Sequence, residues 1–184
     1  MARRLIGAVV LLFALSGCGG DPKADPPPSP SPSTSPVSTT PSARASVPVM
    51  PEAAKENTKA GAIAFAEHYV DLINQAQATG YVAGLRSVED PQCTSCSRVR
   101  RSIEAIYGAG GTIEGGTWRP SFKVALQNAD RSWLITGVIS FDPEQVRRSK
   151  DGQLEVQPGG SAVTHLTIAK TSRAWKVLAW SRES

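Results

Sequence analysis

The order of hydrophobic periods along this 184-residue chain predicts an α+β domain, with helices first and an antiparallel sheet after them. Apolar residues recur at helical spacing from Lys59 to Thr79 and again from about Ser95 to Gly108. From Ser121 onward the period drops to two. Turn residues punctuate the alternating runs at Asp130-Arg131, Lys150-Asp151-Gly152 and Thr171-Ser172-Arg173, as a meander requires. The predicted arrangement is three helices laid on one face of an antiparallel sheet.

Taken in order, the chain opens on Arg3 and Arg4, runs through an apolar core from Leu5 to Leu15 and ends that core on small residues. This is the pattern of a secretory signal over residues 1–17, too short for an ordinary membrane-spanning helix. Leu15-Ser16-Gly17-Cys18 resembles the lipobox of bacterial lipoproteins. The resemblance implies that Cys18 is diacylated on sulfur, becomes the first mature residue and holds the protein at the extracytoplasmic face of the cell membrane. Each buried methylene contributes about 0.8 kcal/mol, and two acyl chains give stable residence where one is marginal. The alternatives are a plain cleaved signal that leaves Cys18 a free thiol, and a signal retained as an anchor.

Residues 18–49 read as a tether. From Asp21 to Pro48 the chain is almost all Pro, Ser, Thr, Ala and small polar residues, with Asp21, Lys23, Asp25 and Arg44 as its charges. Pro removes backbone donors and Ser and Thr bury little apolar surface, so the segment is expected to stay a disordered, partly polyproline-II spacer. It would hold residues 50–184, of a size that suits one domain, away from the bilayer.

Within that domain, Asn57 and Thr58 are N-cap candidates for a helix from Lys59 to Thr79. Ala62, Phe65, Ala66, Tyr69, Leu72, Ile73 and Ala76 form its apolar stripe, and Gly80 ends it. Tyr81 to Val88 reads as a short second helix closed by Glu89-Asp90-Pro91. The third places Val99, Ile103 and Ile106 on one face and Arg98, Arg101 and Glu104 on the other, and stops at Gly108-Ala109-Gly110-Gly111. Phe122, Val124 and Leu126 then alternate with Ser121, Lys123 and Ala125. Trp133, Ile135, Ile139 and Phe141 share one side of the next strand. Leu154 and Val156, Leu166 and Ile168, and Trp175 and Val177 mark those that follow.

Cys93-Thr94-Ser95-Cys96 lies at the start of the third helix. Outside the cytoplasm nearby thiols tend to be oxidised, so a Cys93–Cys96 disulfide is expected. A loop this short gains little from chain entropy, and the bond mainly fixes the turn after Asp90-Pro91. A redox pair at a helix N-terminus is an alternative, but no strand or βαβ pattern leads into the motif. A zinc site needs further ligands, and His68 and His165 stand in no zinc-motif spacing. Two reduced buried thiols would be the remaining arrangement.

Three helices followed by alternating strands, the run Gly61-Ala62-Ile63-Ala64-Phe65-Ala66-Glu67-His68-Tyr69 and the closing Ala174-Trp175-Lys176-Val177 resemble the ketosteroid-isomerase-like, or nuclear-transport-factor-like, cone fold. That resemblance implies helices packed on a curved, cone-like antiparallel sheet. Met50-Pro51-Glu52-Ala53-Ala54, Asp90-Pro91-Gln92-Cys93-Thr94-Ser95-Cys96 and Gly111-Thr112-Ile113-Glu114-Gly115-Gly116 resemble a family of actinobacterial lipoproteins whose domain has no assigned function. This second likeness implies localisation and architecture and transfers no active site.

Charge adds little. The chain has 20 Lys and Arg against 16 Asp and Glu, and Arg3 and Arg4 leave with the signal. Arg98, Arg100 and Arg101 form one basic cluster and Arg147, Arg148 and Lys150 another; both read as solvated faces, with anionic lipid or cell-wall polymer as the partner either would suit. No nucleic-acid motif accompanies them.

Enzymes of the cone fold place an Asp or His acid/base inside the mouth, so the resemblance makes His68, Asp71, Tyr69 and His165 the candidates. His68 and Asp71, one turn apart, read as an exposed pair on the polar side of the first helix. Tyr69 fits the core stripe, and His165 alternates outward between Thr164 and Leu166. Gly108-Ala109-Gly110-Gly111 lacks the Gly-Lys-Ser/Thr ending of a phosphate loop and follows a helix, so it reads as a turn. Trp118 and Trp180 are the tryptophans least constrained to the interior, and tryptophan faces suit a sugar or other ring. The expectation is a membrane-anchored, non-catalytic module that binds a small ligand, cell-wall material or a membrane-protein partner, with no cofactor, metal or nucleic acid. The alternatives are an isomerase or hydratase using His68, Asp71 or His165, and a thiol–disulfide protein using Cys93 and Cys96.

Overall fold

A computed structural model describes residues 46–183. Cys18, the signal expected over 1–17 and most of the tether lie outside the described residues. After a short 3-10 turn, Glu52–Lys55, come α1 (Lys59–Thr79), α2 (Ala83–Val88) and α3 (Thr94–Gly108). Seven strands follow: β1 (Thr112–Gly115), β2 (Trp118–Gln127), β3 (Trp133–Phe141), β4 (Glu144–Arg147), β5 (Leu154–Gln157), β6 (Gly160–Lys170) and β7 (Trp175–Arg182).

Helix α1 spans the residues its periodicity predicts. Thr58 accepts a hydrogen bond from the Gly61 amide at 3.1 Å, and Gly80 closes the helix in the left-handed region with φ 74°. Its burial exceeds a single stripe. Ala62, Phe65, Ala66, Tyr69, Val70, Leu72, Ile73 and Ala76 are all at most 2% exposed, because the 3-10 turn, the other helices and both sheets surround it. At Gly61 a Cβ would fall 2.1 Å from the Glu56 carbonyl oxygen, so the chain preceding the helix crosses it at glycine distance.

The expectation of one curved, cone-like sheet is corrected. The strands form two antiparallel sheets, β1-β4-β5 and β2-β3-β6-β7. Helices do precede the sheets, but strand outweighs helix. The break is chemical. Three chain segments cross from one sheet to the other, through Gly116-Thr117, Asp142-Pro143 and Pro158-Gly159. Gly115 and Gly116 have φ 75° and 68°, and a Cβ on Gly159 would lie 2.8 Å from the Phe141 carbonyl oxygen. Proline and left-handed glycine interrupt the ladder along one line, and the sheet folds there.

Two β-bulges correct the facing of residues read from alternation. In β2 the register slips between Phe122 and Val124, so Phe122 and then Ala125 face the core while Val124 and Leu126 are 42% and 58% exposed. In β7 the slip at Leu178, between the pairs Thr167↔Ala179 and Ile168↔Val177, brings Trp180 inward beside Trp175 and Val177. Strand β3 follows its predicted side, with Trp133, Ile135 and Ile139 buried. The Asp130-Arg131 turn forms with Arg131 at φ 66°.

Candidate functional site

Helix α3 begins at the cysteines. The sulfurs of Cys93 and Cys96 lie at bonding distance, 2.01 Å, and the two residues are 2% and 0% exposed. That burial suits a structural bond, since a thiol that exchanges must be reached. Ser95, inside the loop, accepts a hydrogen bond from the Trp180 amide at 3.2 Å and ties the start of α3 to the end of β7. Among the described residues no three His, Cys, Asp or Glu side chains gather as a metal site would need.

The basic cluster on α3 divides. Arg100 turns inward, and its Nε lies 2.8 Å from the carboxylate of Glu89, which is 6% exposed. Arg101 donates to Ser97. Arg98 is exposed and lines a cleft of about 260 Å³ with Ser95, Val99, Trp180, Ser181 and Arg182.

A second cleft, of about 240 Å³, opens at the line where the sheets part. Gln77, Trp118, Phe141, Glu144, Gln157 and Arg182 line it, so Arg182 belongs to both clefts. Its guanidinium stands 6.0 Å from the Trp118 ring and 5.9 Å from that of Trp180. The two indoles lie 5.4 Å apart, and the aromatic chain continues edge-on to Tyr69 in the core. Asn74 fixes Trp118 by two hydrogen bonds of 2.8 Å, its amide donating to the Trp118 carbonyl and its carbonyl accepting from the Trp118 amide. Tyr107 donates to the Gln77 backbone carbonyl at 2.5 Å. Burial raises the Glu144 carboxyl above its ordinary range, against a smaller pull from Arg148. Gln77 Oε1 and Trp180 Nε1 are buried and have no hydrogen-bond partner among the described residues.

The acid/base candidates do not come together. Tyr69 donates to Glu89 at 3.3 Å, and that burial and carboxylate push the phenol up. His165 faces away from the buried Thr164 and Leu166, with Nδ1 3.0 Å from the Thr136 hydroxyl and Nε2 3.0 Å from Glu183. Asp71 is exposed, but His68 is only 3% exposed, so the expected exposed pair is corrected: α1 is covered on that side too. Nδ1 of His68 has no partner among the described residues.

Burial holds the His68 imidazole below its ordinary range, with Asp71 pulling the other way. The unfolded chain then takes up a proton first as pH falls through about 6.5, and stability drops from there downward by at most about 1.4 kcal/mol per pH unit until the folded imidazole also protonates. Above that pH the group costs nothing. Thermal melts are expected to lose less between pH 7 and pH 5 in His68→Gln than in the wild-type chain.

The profile of a family of unknown function, DUF6318, matches residues 36–180. The chain belongs to that family. Membership agrees with the likeness seen in the sequence to a family without assigned function, and DUF6318 brings no catalytic residue to place in the clefts. No curated protein matches the chain in sequence.

Among solved structures, the intermembrane-space region of chloroplast protein ARC6 aligns with TM-score 0.48 and 12% identity over 65% of this chain and 95% of that one. A substituted form of a protein named Rd1NTF2_05 aligns at 0.39 and 10% identity over 65% of this chain and 96% of its own. Aln2 from a Streptomyces species aligns at 0.40 and 13% identity over 65% and 88%. At these scores the structures carry no argument for this DUF6318 member, whose architecture rests on its own strand order.

Trp118 is half-buried at the clefts as expected. Trp180, although it lines one of them, is as buried as Trp133, and Trp175 is buried deeper still, so the expectation for Trp180 is corrected: the β7 bulge turns it inward. Sequence reasoning missed Gln77, Glu144, Gln157 and Arg182. The signal for Glu144 was the Asp142-Pro143 break immediately before it; Arg182 offered none, since a terminal arginine reads as solvated.

Proposed function

We propose that the chain is a lipid-anchored extracytoplasmic module, non-catalytic, that holds a small polar ligand in the mouth formed by α3 and the facing ends of the two sheets. The observation that carries the reading is the pair of clefts meeting at Arg182, among whose lining side chains Gln77 and Trp180 each keep a buried polar atom without a partner among the described residues. Such an atom costs about 1–3 kcal/mol, which a ligand or a trapped water can offset. Each cleft is smaller than the roughly 300 Å³ at which drug-sized sites begin, so the occupant is small or spans both. The membrane address is supported by Arg3, Arg4, the apolar core from Leu5 and Cys18.

The test is thermal shift of the full chain in neutral detergent against soluble monosaccharides, amino acids and organic phosphates. A ligand at a hundred times its dissociation constant adds about 2.7 kcal/mol and raises Tm by several degrees. At least one class is expected to do so in the wild-type chain and to fail in Trp118→Ala and Gln77→Leu. No shift from any class, or shifts that persist in both variants, would contradict the reading.

A further inference from the structure

Building on that reading of the mouth, we infer that its ligand is an anionic sugar: a single ring bearing a carboxylate or phosphate, with the anion between Arg98 and Arg182 and the ring beside Trp118. The cleft of about 260 Å³ is lined by two guanidiniums, two hydroxyl residues and Trp180, and by no carboxylate. The other arginines make a useful contrast. Arg86, Arg100, Arg119 and Arg148 each pair with a carboxylate; Arg98 and Arg182, like Arg101, Arg131, Arg147 and Arg173, have none among the described residues, and they are the two of these that share a cleft. A guanidinium presents a planar fork that matches carboxylate and phosphate oxygens, and two on one cleft with hydroxyls beside them form a donor set for an anion. Trp180, 8% exposed, lines the same cleft, and its buried indole N–H has no partner among the described residues.

The adjoining cleft has different chemistry. Trp118 and Phe141 offer apolar faces, while Gln77, Gln157, Glu144 and Asp142 offer amides and two carboxyls, that of Asp142 already paired with Arg119. A sugar ring has the complementary distribution, with C–H groups on its faces and hydroxyls around its rim that donate and accept. A bare inorganic anion would leave this second set of groups unserved, and a neutral sugar would leave both guanidiniums unpaired. Arg182 stands at the junction, shared by the two clefts and within 6.0 Å of both indole rings, so one molecule with an anionic substituent on a ring reaches both sets.

Isothermal titration of the full chain in neutral detergent with glucuronate, glucose 6-phosphate, glucose and inorganic phosphate tests this. One or both anionic sugars are expected to bind at least tenfold more tightly than glucose and than phosphate, and the stronger of the two identifies the anion. Arg98→Gln and Arg182→Gln, both at exposed positions, are each expected to weaken that binding at least tenfold. The melting temperature without ligand is unchanged in Arg98→Gln and falls by a few degrees at most in Arg182→Gln, which loses its contacts with the Trp118 and Trp180 rings. Glucose binding as tightly as the anionic sugars, phosphate alone matching them, or binding indifferent to both substitutions would overturn the inference. Heat from none of the four probes would also overturn it. The broader reading then stands or falls separately, on whether any other class in the thermal-shift panel responds and loses its response in Trp118→Ala.

Discussion

Replacing Arg100 by Met is expected to lower the unfolding free energy by about 3–5 kcal/mol, as removing one partner of a buried ion pair does. Glu89 is 6% exposed, and its carboxylate receives Arg100 Nε at 2.8 Å and the Tyr69 hydroxyl at 3.3 Å. Arg100 also reaches Glu104, which in turn pairs with Arg86, so α2, α3 and the turn between them share one network. The Asp90 amide, one residue on, donates to the Val177 carbonyl and joins that turn to β7. With Met in place of Arg100, the Glu89 carboxylate keeps only a neutral phenol as a side-chain partner, and its burial becomes an uncompensated cost. Adding Glu89→Gln removes the charge and is expected to recover part of the loss. Urea unfolding of the two variants checks both statements; a single variant within about 1 kcal/mol of wild type would mean that solvent reaches Glu89.

Trp175→Ala is expected to cost a similar amount, about 3–5 kcal/mol, through lost burial and the cavity left behind. Trp175 is 1% exposed, stacks on Phe65 at 5.4 Å with planes 15° apart, and donates its indole N–H to the Ala54 carbonyl at 2.5 Å. Lys170 reaches the same carbonyl at 3.4 Å and sits 5.2 Å over the ring. The side chain therefore holds three elements at once: β7, the first turns of α1 and the 3-10 turn. Trp175→Phe keeps most of the buried area but loses the donor, and is expected to fall between wild type and alanine in denaturant midpoint.

Long elements with whole-turn periodicity were legible in the sequence. Helix α1 buries a continuous stripe whose bounds are set by Thr58 and Gly80, a capping hydroxyl and a left-handed glycine, and both are local signals. Strands β1 and β4 were not, because each is four residues long with a single buried side chain, Ile113 or Val146, whereas the equally short β5 carries the alternating pair Leu154 and Val156. The division into two sheets follows from backbone conformations at Gly115, Gly116 and the Pro-Gly step before β6, whose effect depends on all three crossings lying on one line.

Inward and outward faces failed where a bulge inserted one residue. Val124 and Leu126 share the phase of Phe122 in the sequence, and a single slip at Lys123 turns them outward. Trp180 comes inward by the same device in β7. The approach of Cys93 and Cys96 was legible from their spacing, while the expectation that they are oxidised rested on the secretory signal read in the sequence. The clefts were not. Arg98 and Arg100 stand two residues apart on one helix, and only the position of Glu89 decides that one is consumed by an ion pair while the other lines a cleft.

The central claim is that the mouth between α3 and the sheet ends receives a ligand. It is tested most directly by the indole N–H resonances of the four tryptophans while the 15N-labelled chain is titrated with the compound that gives the largest thermal shift. The account predicts saturable movement of the Trp118 and Trp180 signals, with Trp133 and Trp175, held in the core, unmoved. Movement confined to Trp133 or Trp175, or a thermal shift with all four indoles still, would contradict it and place the ligand elsewhere on the molecule.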